Sequence, residues 1–180
     1  MKNLLYILAF LSINAFGQTK YLTKTGTVSF EASVPSFEEV KATNKSVTAI
    51  INTDNGEFAA LVLVKGFRFK NALMEEHFNE NYAESDTYPK ATFKGTIKDF
   101  DVTTLNKESK LSVNGTLTFH GESKELNDVS VVLSKEQDNI SMSGAFKALA
   151  SDFNIKIPKI IRNKIAEDIE VHFNFNLLKK

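Results

Sequence analysis

Eight short runs in which apolar and polar residues alternate, separated by turn-forming clusters, recur along this chain of 180 residues. That recurrence restricts the fold more than any single segment does, because it describes a mainly β protein built from half-buried strands. Side chains on a strand point alternately to its two faces, so each run assigns one face to a core. Val28, Phe30 and Ala32 alternate with Thr27, Ser29, Glu31 and Ser33. Val47, Ala49 and Ile51 form a second run ending at Thr53-Asp54-Asn55-Gly56, where the Asn-Gly pair favours a hairpin. The clearest run sets Leu111, Val113, Leu117 and Phe119 against Ser112, Asn114, Thr116, Thr118 and His120, and Gly121 ends it. Val129, Val131 and Leu133 make the sixth, Ile140, Met142, Gly144 and Phe146 the seventh, with Gln137-Asp138-Asn139 as the turn between them. Ile169, Val171, Phe173, Phe175 and Leu177 close the chain.

Two segments depart from simple alternation. The third run, Phe58 to Phe69, is continuously apolar at its start, which predicts cover on both faces, and its parity changes in a way that predicts a bulge or bend near Lys65-Gly66. Its nearest cover is a short helix over 73–82, in which Leu73, Met74, His77, Phe78 and Tyr82 share one side and Glu75, Glu76, Asn79 and Glu80 the other. Pro89 cannot continue that helix and pushes Tyr88 toward extended backbone, after which Phe93, Gly95 and Ile97 alternate as the fourth run. Before the last strand, Pro158 opens a helical or irregular crossover near 158–167 carrying Ile160, Ile161 and Ile165. Eight antiparallel runs close into a barrel or stack as a two-sheet sandwich, and periodicity fits both.

The opening MKNLLYILAFLSINAFGQ has a basic Lys2, an apolar stretch from Leu4 to Ile13 and small residues at Ala15 and Gly17. It reads as a secretory signal over 1–17 cleaved near Gly17-Gln18, which predicts a periplasmic or secreted single domain over 18–180. The longest later apolar run, Phe58 to Val64, is far too short for a ~30 Å hydrocarbon core, so an integral membrane protein is not expected. There is no cysteine, hence no disulfide framework and no thiol chemistry. Without Lys2, 21 basic side chains remain against 22 acidic ones, a balance that speaks against nucleic acid and against a strongly basic membrane-binding surface.

Catalytic constellations are missing from the pattern: HExxH, a P-loop, GxGxxG and GxSxG are all absent. His120 and His172 fall on outward strand positions and read as solvated. His77 falls on the apolar side of the helix between Glu76 and Glu80, suited either to a hydrogen-bonded structural role or to a polar contact at a cavity mouth. The acidic run Glu75, Glu76, Glu80, Glu84 and Asp86 lacks the spacing of a cation-binding loop, so it reads as a solvated face; no metal is expected. Of the fifteen Phe, Phe10 and Phe16 belong to the leader, which leaves thirteen with no Trp anywhere, a composition suited to a deep core or an apolar cavity.

The stretch Phe78 to Gly95, the element Gly115-Thr116-Leu117-Thr118-Phe119-His120-Gly121-Glu122-Ser123-Lys124, and Ser151-Asp152-Phe153-Asn154-Ile155 together resemble the YceI family, with Asn154 where the family usually has Gly. The resemblance runs from Thr25 to the final strand. It implies an eight-stranded antiparallel lipocalin-like barrel, exported to the periplasm, whose elongated apolar pore holds an isoprenoid or another long-chain amphiphile in some members. No enzyme activity and no cofactor beyond such an isoprenoid or fatty-acid-like lipid is implied. On that barrel the wall candidates are Phe58, Phe93, Phe119, Phe146, Phe173 and Phe175, with Leu73, His77 and Phe78 lining the pore mouth. The expected partner is therefore an amphiphilic lipid ligand, and the oligomeric state stays open, a dimer included. A competing expectation from another class is a ligand-free interaction or stress-response barrel packed solid with its own side chains.

Overall fold

The computed structural model describes residues 19–180, so the signal over 1–17 lies outside the described residues. Eight long strands form one antiparallel sheet: β1 (Lys20–Ser33), β2 (Lys41–Asn52), β3 (Glu57–Leu63), β5 (Lys90–Ile97), β6 (Ser109–Phe119), β7 (Glu122–Glu136), β8 (Asn139–Leu149) and β9 (Ile165–Lys179). A two-residue strand, β4 (Arg68–Phe69), pairs with the start of β2. The sheet order is β1-β9-β8-β7-β6-β5-β3-β2-β4, and β1 also pairs with β2. That last pairing closes the sheet, so the fold is a barrel and not a sandwich. Closure satisfies the ladder groups that an open edge would expose.

The inward sets follow the alternation except at bulges in β1, β2 and β7, the last carrying the interior set from Leu126 to Val129. Register shifts flank Gly26 in β1 and its partner Val47 in β2, so that Tyr21 and Thr23 on one side of the shift share the interior with Val28 and Phe30 on the other. The extra residue in β1 is matched by one in β2, where the inward set passes from Ile51, Ala49 and Val47 to Asn44 and Ala42. Gly26 is required at this point by close approach: a Cβ there would stand 2.5 Å from Cδ1 of Phe175.

The third predicted run is divided by a 3₁₀ turn at Val64–Gly66, which gives the bend expected near Lys65-Gly66 and lets the chain pair with β2 twice, first through β3 and then through β4. Asn44, fully buried beneath the turn, donates to the Leu63 carbonyl at 2.9 Å and accepts from the Ser46 amide at 2.9 Å. Cover on both faces of β3 is not what forms. Phe58, Ala60 and Val62 are buried, but Leu63 is 52% exposed, because the helix sits over β4 at the end of the barrel and not on the outer face of β3. The crossover before β9 takes the irregular form. Turns at Pro158–Ile161 and Ile161–Lys164 replace a helix, and β9 begins already at Ile165.

The interior is filled unevenly. At the end where β2 runs into β3, Ile51, Ile97, Leu133, Ile140, Met142 and Leu177 are fully buried, and Phe100 and Val102 from the β5–β6 loop pack beneath them. Toward the opposite end, the inward residues Phe30, Phe93, Leu117, Phe146 and Phe173 keep part of their surface open. We therefore predict that Leu133→Ala lowers the unfolding free energy by about 3–4 kcal/mol, whereas Leu117→Ala costs under about 2 kcal/mol because its side chain already borders empty space. Chemical denaturation of the two variants checks this, and equal losses would contradict the division into filled and hollow halves.

Candidate functional site

The hollow half starts at an aromatic floor. Phe175 is buried with its ring stacked on Phe173 at 5.5 Å and 5.7 Å from Phe58, which lies 5.9 Å from Phe93. Above this floor lies a cavity of about 520 Å³, walled by Val28, Ala60, Val113, Leu117, Phe146 and Val171 among others. β-strands supply this wall because each contributes its inward set at every second residue, and the sets here are apolar without exception save Thr92. A space lined by carbon offers water few partners, and such cavities favour apolar guests.

The mouth is built from three segments outside the main strands. On one side α1 (Ala72–His77) continues into a π-helical turn, Phe78–Tyr82. Asn71 caps it by accepting from the Leu73 amide at 2.9 Å, and the Glu75 carboxylate reaches back to the Phe69 amide at 3.1 Å and to Arg68 at 3.0 Å. Phe78 then joins Phe30, Phe67 and Phe69 in a group whose ring centroids lie between 5.1 and 5.8 Å apart, which clamps the helix to the barrel rim. A second segment, the loop from Asn154 to Lys164, turns Ile155, Ile157 and Ile161 toward the cavity. The β1–β2 loop adds Phe37 and Glu38. Polar atoms are confined mainly to this rim: Glu38, His77, Tyr82 and Lys164. Burial raises the pKa of the Tyr82 phenol, so it stays an uncharged hydroxyl at neutral pH.

Phe58, Phe93, Phe119, Phe146, Phe173, Phe175 and Phe78 all border the cavity, and His77 stands exposed at its mouth. Leu73 does not: it is 56% exposed and outside the lining. The inward stripe of the helix is Met74, His77, Phe78 and Tyr82, and one residue step of about 100° from Met74 carries Leu73 onto the flank. The sequence reading left out Phe30, Phe67, Phe69 and the three loop isoleucines. Phe30 was available from its alternation; Ile155, Ile157 and Ile161 lie in an irregular segment with no period to expose them.

His120 is a second correction. It is not a solvated strand residue, since its side chain is only 10% exposed. With Gly121 it forms the two-residue β6–β7 hairpin, both residues at positive φ, the geometry that matches strand twist in tight hairpins. Its Nδ1 donates to the Phe153 carbonyl at 2.8 Å, its Nε2 lies 3.3 Å from Glu84, and the Tyr88 ring packs on it at 4.6 Å. Lys124 pairs with Asp152 at 2.8 Å, and Asn154 donates to Glu122 at 2.6 Å. The Tyr-Pro corner, the His-Gly hairpin and the Asp-Phe turn are thus one bracket that anchors the start of the mouth loop. Asn154 occupies the left-handed region at φ 56°, a conformation open to Asn and Gly but strained for branched residues. Asn154→Val is accordingly expected to lower stability by about 1–2 kcal/mol while Asn154→Gly stays nearly neutral, as read from thermal melts. A Val variant as stable as the parent would contradict the assignment of this position.

The model of the YceI-like domain matches residues 20–177. Among curated protein sequences none matches. Solved structures share the fold, among them the following three. A polyisoprenoid binding domain from Saccharophagus degradans, implicated in plant cell wall breakdown, is 16% identical with a TM-score of 0.77, covering 91% of this chain and all of its own. BcnA of Burkholderia cenocepacia is 19% identical with a TM-score of 0.70, covering 84% of this chain and 95% of its own. The YCEI protein of Campylobacter jejuni is 19% identical with a TM-score of 0.64, covering 82% of this chain and 89% of its own.

Proposed function

The chain belongs to the YceI family, and from that membership together with the shape of its cavity we propose that it is a binding protein which holds one isoprenoid-like or other long-chain lipid in the hollow half of its barrel, for transport or storage in the periplasm. The observation that carries this reading is the cavity of about 520 Å³ whose wall is apolar save Thr92 and whose other polar groups stand at its rim. Volumes of roughly 300–1,000 Å³ are those of small-molecule sites. At roughly 30 Å³ per heavy atom, the share a water takes in the liquid, the space holds about 17 atoms of a chain. Burying some fifteen carbons at about 0.8 kcal/mol each gives roughly 12 kcal/mol gross, comparable to the ~4–15 kcal/mol cost of association. Affinity then depends on how completely the chain fills the bore, and the wall discriminates by length and girth, since it has almost no hydrogen-bonding groups to do otherwise.

A polyisoprenoid-binding relative of the same fold supports the ligand class. Binding, in preference to catalysis, is supported by the family and by the chemistry of the lining: the rim brings together Glu38, His77, Tyr82 and Lys164 with no nucleophile–base pair among them. The alternative of a solid, ligand-free barrel is disfavoured by the same cavity. It would require the upper half to be packed as the lower half is.

Native mass spectrometry of freshly purified protein should show an added mass of a single amphiphile, recovered by organic extraction. Ala60→Trp, which places an indole in the cavity wall, should fold normally and carry none. Purified protein without a guest that also refuses added isoprenoids and fatty acids, or an Ala60→Trp variant loaded as fully as the parent, would overturn the proposal.

A further inference from the structure

The near-neutral charge of the whole chain conceals a local segregation at the open end of the barrel. Between Phe153 and Ala166 there is no acidic residue, while Lys156, Lys159, Arg162 and Lys164 are all exposed and have no carboxylate within 4.0 Å among the described residues. Amid these cations stands Ile160, 84% exposed, the barest of the large apolar side chains described. The same short loop turns Ile155, Ile157 and Ile161 inward onto the cavity. One segment therefore presents two faces, an apolar one to the bore and a cationic one with an apolar tip to solvent.

We propose that this loop docks the open end of the barrel onto an anionic lipid surface, with Ile160 entering the boundary of the acyl chains and Lys156, Lys159, Arg162 and Lys164 meeting the headgroups. Charge complementarity selects the partner: a single-sign cluster around an exposed isoleucine matches a membrane carrying net negative charge, where each cation near the surface contributes and the attraction falls off within a Debye length. Exposed acids elsewhere, Glu38 and Glu39 on the β1–β2 loop, Glu76 and Glu80 on the helix, and Glu167 and Asp168 at the start of β9, leave this loop as the segment that meets the surface. Glu76 and Glu80 on the helix are exposed, whereas Glu75, Glu84 and Asp86 face Arg68, His120 and Lys65. The loop is the attracted segment, so the barrel meets the surface with the isoleucine-lined part of its mouth lowest. In that pose a chain leaving the cavity passes from the inner face of the loop directly into lipid.

The test uses the mature protein and sedimentation with vesicles of pure phosphatidylcholine or of equal parts phosphatidylcholine and phosphatidylglycerol. The parent should bind the anionic vesicles and release them as salt is raised, and should leave neutral vesicles largely unbound. Neutralising one cation should weaken partitioning roughly fivefold, so that Lys156→Gln, Lys159→Gln and Arg162→Gln combined abolish measurable binding. Ile160→Ser should weaken it at every salt concentration. None of these four side chains lines the cavity, so cargo measured by native mass spectrometry should be retained in all variants, which separates failure of docking from failure of the lipid-carrier reading. Equal binding to both vesicle types, no binding by the parent, or full binding by the triple variant would overturn the proposal.

Discussion

Pairing β1 with β2 removes both edges of the sheet and at the same time sets the bore that the inward side chains have to fill. Everything else in the molecule is a response to that fixed width. Where the inward residues are Ile51, Leu133, Ile140, Met142 and Leu177, side chains from opposite walls meet and the bore is solid. Phe175 and Phe58 cap this plug. Beyond them the wall includes small residues such as Ala60, Ala91 and Ala148, which fall short of the axis, and the space stays open. A single architecture thus yields a stable base and a receptive upper half without any change in strand geometry.

The receptive half must also be kept from collapsing, and two devices at the rim oppose that. Four phenylalanines seat the helix on β4, and the His120 bracket fixes the beginning of the mouth loop through the Phe153 carbonyl. The bracket explains why three stretches distant in the sequence belong together. Tyr88 packs over Gly121, where a Cβ would lie 2.8 Å from the ring, and His120 reaches across to the turn that Asn154 terminates. These contacts position the loop more than they stabilise the barrel, whose core lies at the other end.

Much of this was legible in the chain and some was not, for physical reasons. Period-two alternation identified the inward residues of β5, β6, β8 and most of β9, which pair in regular register, and on the barrel implied by the family resemblance these put Phe93, Phe119, Phe146, Phe173 and Phe175 on the wall. It failed at β1 and β2, where matched bulges reverse parity, so Tyr21 and Thr23 went unnoticed as interior positions. The first half of β7 was invisible, since Glu122–Asp128 is nearly all polar and pairs with β6 above the filled core. Leu73 was misplaced because helical spacing defines a stripe but not how the helix is rotated on its support. His120 looked like an outward strand residue, and only its tertiary partners reveal a turn. The basic loop could not be seen in a count over the whole chain, where acids elsewhere cancel it.

The central claim is that one apolar chain lies in the upper half of the barrel and nowhere else. Isotope-filtered NOE spectroscopy on labelled protein loaded with an unlabelled isoprenoid alcohol tests it most directly. The account predicts contacts from the chain to Phe93, Phe146 and Phe173 and to the loop residues Ile155 and Ile157, with none to Leu133 or Ile140. Contacts confined to the outer surface of the barrel, or extending to the residues of the filled half, would contradict it.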